Sequence, residues 1–268
     1  MIELIQITND PAFATRCDAL DGMRLFVDLE RMGKAQRQAG RSTFISTHQV
    51  ADVARIKSCL RRSRLMVRLN PLNPQTRSEV QAVLDCGADM LMLPMFSDAG
   101  QLKEFSDHVG GRAPVVALLE TTGALATLAQ WIDTPGLAEV YVGLNDLHLS
   151  LGQRFMFEPL ADGLVESVGA AARGRGIGFG FGGIARMEEG LLPGRDVLAE
   201  HLRLASQAVI LSRTFHRAEG GERFEDEVLA LRAAEAALAL RNPRQVRADA
   251  VRIGAAIEGI AAGVGVTP

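Results

Sequence analysis

Two carboxylates stand where apolar runs give out. Glu120 ends Pro114-Val-Val-Ala-Leu-Leu-Glu120, and Asp146 ends Glu139-Val-Tyr-Val-Gly-Leu-Asn-Asp146. If both runs are buried strands of a parallel barrel, their C-terminal ends lie at one rim. There, hard oxygen donors can hold a divalent cation and leave coordination positions for substrate and water. Mg2+ or Mn2+ suits such ligands better than an ion that prefers sulfur and nitrogen. On the residues alone a plainer reading stays open, with Glu120 as a helix cap and Asp146 as a turn residue.

Arg68 closes a third apolar run, Met66-Val-Arg-Leu-Asn70, with apolar neighbours on both sides. Its guanidinium is therefore expected at the same rim, where a planar fork matches a carboxylate in bidentate fashion and stays charged when partly desolvated. An ion pair to Asp28 or Glu30 is the alternative. Asp28 and Glu30 alternate with Val27 and Leu29, so both share one face of their strand, and that face cannot pack under helices. They either orient Arg68, Arg31 and bound water, or form a buried ion-pair network of structural value.

Positioning these groups takes a scaffold. Short apolar runs near 3–8, 23–30, 64–70, 90–95, 114–121, 139–146, 177–183 and 207–213 alternate with stretches of helical period. Between His48 and Arg61, the residues Val50, Val53, Ile56 and Leu60 fall on one stripe, and Ser97-Asp98 opens a helix holding Leu102 and Phe105. The pattern predicts an α/β fold, a (β/α)8 TIM barrel with an additional C-terminal helix. A Rossmann-type sheet is disfavoured because no strand leads into a G-x-G-x-x-G turn.

Residues 1–240 are read as the catalytic barrel and 241–268 as a helical extension. Phe224, Val228, Leu231 and Leu238 can close the barrel, and Pro243 then interrupts the pattern. Beyond it, Val246, Ala250, Ile253, Ile257, Ile260 and Val264 form a second apolar stripe. The stripe is expected to meet another subunit; folding back on its own chain is the alternative.

Composition narrows the function classes. A formal net charge of -3 gives no reason to expect nucleic acid, and three scattered cysteines without a CxxC pair argue against a disulfide framework or structural zinc. No apolar run reaches the roughly 20 residues needed to span a bilayer, and no leader pattern opens the chain. The expectation is a cytoplasmic protein with no membrane partner.

Taken together and in order, Phe26-Val-Asp-Leu-Glu30, Met66-Val-Arg-Leu-Asn70, Cys86-Gly-Ala-Asp-Met-Leu-Met-Leu-Pro94, Leu118-Leu-Glu-Thr121 and Val142-Gly-Leu-Asn-Asp-Leu147 resemble the HpcH/HpaI aldolase and citrate lyase β-subunit family. The resemblance implies a homo-oligomeric TIM barrel that binds Mg2+ or a similar ion. It also implies a 2-oxo acid or acyl-CoA at the rim and carbon–carbon bond chemistry through an enolate. It makes Glu120 and Asp146 the metal ligands and gives Arg68 the substrate carboxylate and enolate oxygen.

Several positions depart from the pattern. Pyruvate aldolases of this family carry a histidine after Asp-x-Glu, whereas this chain has Arg31, which cannot exchange protons near neutrality. His48, just before a helix, is expected to take the acid/base role, with a metal-bound water as the alternative base; the plainer reading of His48 is a surface residue beside a cap. Leu118 stands where some of these aldolases present a glutamine. Lys34, Arg37 and Arg41 either line the mouth or form an exposed basic loop. Gly178, Gly180 and Gly182 share one face of Ile177-Gly-Phe-Gly-Phe-Gly-Gly183, with Phe179 and Phe181 on the other. Gly182 and Gly183 are read as a substrate-contacting turn, with Asn145 as a further substrate contact, and His148 as either supporting the site from behind or packing its loop. The expected activity is a metal-dependent 2-oxo acid aldolase of the pyruvate-enolate type. A citryl-CoA or malyl-CoA type lyase and a non-catalytic metabolite-binding barrel are the alternatives.

Overall fold

The structure is a computed structural model that describes residues 1–33, 47–216 and 223–263. Among these, parallel strands β1 to β8 follow one another in chain order around a closed barrel. They are β1 Glu3–Ile7, β2 Met23–Asp28, β3 Arg64–Arg68, β4 Met90–Leu93, β5 Val115–Leu119, β6 Leu137–Val142, β7 Gly178–Ile184 and β8 Ala208–Leu211. Helices lie between the strands, so the fold is a (β/α)8 barrel with an additional C-terminal helix. The chain divides into two compact units, Ile5–Tyr141 and Met1–Leu4 with Val142–Pro268.

In the Ile5–Tyr141 unit the helices are α1 Pro11–Asp18, α2 Val50–Cys59, α3 Thr76–Asp85, α4 Ala99–Val109, α5 Thr122–Ala126 and α6 Leu128–Trp131. Their starts follow from local chemistry. Asp10 accepts the Ala12 and Phe13 amides ahead of Pro11, Asp98 accepts that of Gln101, and Thr121 that of Ala124. The α2 stripe buries Val53 and Ile56 completely, while Val50, at the first turn, is exposed.

Register places the chemistry. β2 and β3 pair from Arg24↔Arg64 to Asp28↔Arg68, so the two charged residues at their C-terminal ends stand side by side. At the other end of β2, Arg24 forms a fork-to-fork pair with Glu139 of β6, at 2.9 Å for Nη1–Oε1 and 2.7 Å for Nη2–Oε2. Both residues are buried.

In the other unit the helices are α7 Leu144–Ser150, α8 Glu158–Ala161, α9 Leu164–Arg173, α10 Gly194–Arg203, α11 Phe224–Ala239 and α12 Pro243–Gly263. The phenylalanines of β7 face helices as the alternation predicts. The Phe181 ring stacks on His201 of α10 with centroids 3.8 Å apart, and Phe179 lies against Gly169 of α9. Ile253 and Ile257 of α12 are 1% and 0% exposed, and this helix packs against α8 and α10. Arg252 clamps it to Asp196 through two bonds of 2.8 and 2.7 Å, and Arg241 donates to the Ala199 carbonyl. The centre of the apolar stripe thus packs on its own chain. Val264, at its end, lies outside the described residues.

Candidate active site

The Ile5–Tyr141 unit gathers Asp28, Glu30, His48, Arg68 and Glu120 around the ends of β2, β3 and β5. Arg68 donates through Nε and Nη2 to both oxygens of Asp28, at 2.9 and 2.8 Å, and its Nη1 lies 3.4 Å from Glu30 Oε2. The guanidinium also sits near the Phe26 ring, 5.7 Å from its centroid. Asp28 takes two of the five guanidinium N–H groups, which leaves the Nη1/Nη2 edge to serve Glu30 and an incoming carboxylate. The Arg68 side chain retains 16% exposure, whereas Asp28, Glu30 and Glu120 are buried.

Burial by itself would push the Arg68 pKa down. The charges of Asp28, Glu30 and Glu120 more than reverse this and hold it above its ordinary value. One guanidinium therefore faces three carboxyl groups. The ion pair expected as the alternative reading of Arg68 is present, to Asp28 with Glu30 beside it.

Glu120 follows β5 directly and accepts the Met95 amide at Oε1, 2.9 Å away. Met95 has φ 56°, a left-handed backbone that a residue with a Cβ adopts only where its surroundings hold it. Next to it, Thr121 donates to the Phe96 carbonyl at 2.7 Å, and a Cβ at Gly123 would come within 2.5 Å of the Ser97 carbonyl oxygen. The exits of β4 and β5 are thereby locked together, and Glu120 is part of the lock.

His48 is 5% exposed, and its Nδ1 accepts the Asp28 backbone amide at 3.1 Å. That bond occupies the lone pair a general base would need and leaves the proton on Nε2. His48 thereby fixes the end of β2. Arg31 assists, since its Nη2 donates to the His48 carbonyl at 2.8 Å. Leu118 is buried, as its apolar character requires. Lys34, Arg37 and Arg41 lie outside the described residues.

In the other unit, the expected strand through 146 is corrected. β6 stops at Val142, and Gly143 caps α7, so Asn145 and Asp146 occupy the first helical turn. The burial of Leu144, Leu147 and His148 fits one face of that helix. Asn145 is exposed and Asp146 half-buried. Asp146 makes no side-chain hydrogen bond or ion pair among the described residues. His148 packs, with Nδ1 3.0 Å from the Leu144 carbonyl oxygen. Gly182 has φ 57° at a register irregularity between β7 and β8, and a Cβ there would meet the Leu144 side chain at 2.9 Å. A steric need explains Gly182 without any ligand.

Among the described residues, no group of three or more His, Cys, Asp or Glu side chains could hold a metal ion. An ion would rest on one or two carboxylates, with substrate and water completing its shell, a pattern that suits Mg2+. Glu120 is a hard oxygen donor beside a surplus of acidic groups that a cation would offset; Asp146, in the other unit, is a donor of the same kind.

Sequence reasoning missed two contributors. Asn70 was visible only as part of a motif, yet it bonds the loop after β2, and Met95 gave no local signal of its strained backbone.

The HpcH/HpaI aldolase/citrate lyase family model matches residues 9–179, more than half of the chain. No curated protein matches the sequence. Similar solved structures include an HpcH/HpaI aldolase from Desulfitobacterium hafniense DCB-2 (16% identity, 79% of this chain and 86% of that one, TM-score 0.57). An HpcH/HpaI aldolase/citrate lyase family protein from Burkholderia cenocepacia J2315 is similar at 17% identity, covering 92% and 94%, with TM-score 0.58. The citrate synthase SbnG is similar at 14% identity, covering 88% and 94%, with TM-score 0.58. At such identities these likenesses speak for the fold alone. No helix among the described residues is long and apolar enough to cross a membrane.

Proposed function

The chain belongs to the HpcH/HpaI aldolase/citrate lyase family, and from that premise we propose a divalent-metal-dependent carbon–carbon lyase that acts on a 2-oxo acid. Membership supports a lyase- or aldolase-type enzyme with a small-molecule substrate. The finer reading is cleavage of the C3–C4 bond of a 4-hydroxy-2-oxo acid to an aldehyde and the enolate of pyruvate or a close relative, which then takes a proton at C3.

The observation that carries it is Arg68. Its Nε/Nη2 edge is fixed by Asp28, and its remaining donors lie toward Glu30 in a buried acidic setting. A 2-oxo acid carboxylate suits that second edge, because a planar fork grips both oxygens and sets the carbonyl in one orientation. Glu120 and Asp146 would hold Mg2+ or Mn2+, as the family resemblance implies. The bound ion would stabilise negative charge on the enolate oxygen. Asp28 keeps Arg68 aimed, and His48 and Arg31 keep Asp28 in place. With Arg31 unable to exchange protons and the Nδ1 lone pair of His48 engaged, we assign proton transfer to a carboxylate, Glu30, rather than to an imidazole. Asn145 and Gly183 stay assigned to substrate contact as the sequence suggests, and Gly182 to the turn that carries it. A homo-oligomer in the cytoplasm belongs to this reading as well, resting on the resemblance and on composition.

The test is proton NMR of pyruvate in deuterated buffer with the protein, once with Mg2+ or Mn2+ and once with chelator. Metal-dependent exchange of the methyl protons supports enolate formation. No exchange with either metal overturns the reading, and titration with a CoA ester then separates an acyl-CoA lyase from a non-catalytic binding barrel.

A further inference from the structure

The peptide leaving β2 is held at five successive amides. Asp28 N–H goes to His48 Nδ1 at 3.1 Å, Leu29 N–H to the Arg68 carbonyl at 2.9 Å, and Glu30 N–H to Asp28 Oδ1 at 3.1 Å. The amides of Arg31 and Met32 both go to a single atom, Asn70 Oδ1, at 2.9 and 3.1 Å. A loop of exposed residues does not need such treatment; a loop that must present Glu30 at a fixed place does.

Asn70 is itself held. Its Nδ2 donates to Glu79 Oε1 of α3 at 3.0 Å, which decides which way the amide faces: the oxygen toward two N–H donors, the nitrogen toward a carboxylate. Asn70 also lies two residues beyond Arg68 on the same chain segment. The side chain that aims the β2 exit is thus rigidly tied to the strand that supplies the guanidinium.

We propose that Asn70 is a positioning residue for the reacting cluster. It holds the Arg31–Met32 peptide so that Glu30 stands against Arg68 Nη1, and Glu79 sets its orientation. Its effect on turnover rests on the lyase reading above; its effect on the loop does not.

The test uses Asn70→Ala, Glu79→Gln and the exchanged pair Asn70→Asp with Glu79→Gln. The exchanged pair restores the set of bonds: the introduced carboxylate accepts both loop amides through one oxygen and the introduced amide through the other, at unchanged total charge. Two readouts are taken on the full chain. Hydrogen–deuterium exchange followed by mass spectrometry reports the segment 28–33 without any ligand, and metal-dependent exchange of pyruvate methyl protons reports the site.

Asn70→Ala should speed amide exchange in 28–33 at least about tenfold while leaving β4 and β5 protected, and should slow pyruvate exchange by about 10- to 100-fold, the usual effect of losing a residue that orients a reacting group. The exchanged pair should recover most of both. Unchanged protection of 28–33 in Asn70→Ala overturns the proposal, and so does a loss of protection spread evenly over the whole chain. If Asn70→Ala fails to fold, the exchanged pair decides: failure to protect 28–33 like the wild type overturns the proposal. If the wild-type protein exchanges no pyruvate protons, the lyase reading falls while the amide data still decide the role of Asn70.

Discussion

Two buried arginine–carboxylate pairs sit at opposite ends of β2, and they are built differently. Arg24 meets Glu139 end-on, each Nη on its own oxygen, and the Arg24 side chain is 2% exposed. Arg68 meets Asp28 side-on, keeps 16% exposure, and has Glu30 and Glu120 near it as well. The first pair sets both Nη groups against the two oxygens of one carboxylate. The second leaves donors to spare and a surplus of acidic groups. In a barrel of this kind the N-terminal ends of the strands serve stability and the C-terminal ends carry chemistry. The same residue types thus meet in different geometries at the two ends of one strand.

The largest expected effect is on stability. Glu139→Ala leaves the Arg24 guanidinium buried without its carboxylate and should cost about 3–5 kcal/mol of unfolding free energy, read by urea denaturation. The rate of metal-dependent pyruvate exchange per folded molecule should stay at the wild-type value. A fall in both would mean the two ends of β2 are not separate in function.

Acid gives the next largest effect. His201 is fully buried, stacked on Phe181 and within 2.9 Å of Ser206 Oγ, and burial holds its pKa down at about 3. Its folded pKa lies below the unfolded value, so the unfolded chain binds the extra proton. Its stabilising share is complete above about pH 6.5 and is lost progressively as pH falls toward 3. Between pH 7 and pH 5 the loss should be about 2 kcal/mol. His201→Leu should flatten that part of the profile, and an equally steep profile in the variant would place the acid sensitivity elsewhere.

The smallest effect sharpens what a ligand must explain. Gly182→Ala forces a Cβ into a left-handed position and against Leu144, at a cost of about 1–2 kcal/mol in stability. If the glycine serves the turn alone, the Michaelis constant for a 2-oxo acid substrate should not change; a large rise would show that backbone at this point meets the substrate.

Much of this was legible in the amino-acid order. The alternation of apolar runs and helical stripes predicts the barrel, and Arg68, Asp28, Glu30 and Glu120 fall at strand ends as their runs indicate. Asp146 did not, because Leu144, Leu147 and His148 bury one face of a short helix, and a brief apolar stretch reads the same as strand or helix. The stripe on α12 likewise says that a face is covered without saying by what. The role of His48 depends on which ring nitrogen meets an amide twenty residues earlier, a fact of three-dimensional packing that no spacing encodes.

Arg68→Lys asks whether the planar, pre-aimed edge of Arg68 is what grips the substrate carboxylate. Lysine keeps the charge beside Asp28, Glu30 and Glu120 but loses the fork. With the thermal midpoint little changed, metal-dependent exchange of pyruvate methyl protons should slow by about 10²–10³-fold. A lysine variant that exchanges at the wild-type rate would show that the fork of Arg68 does not hold the substrate.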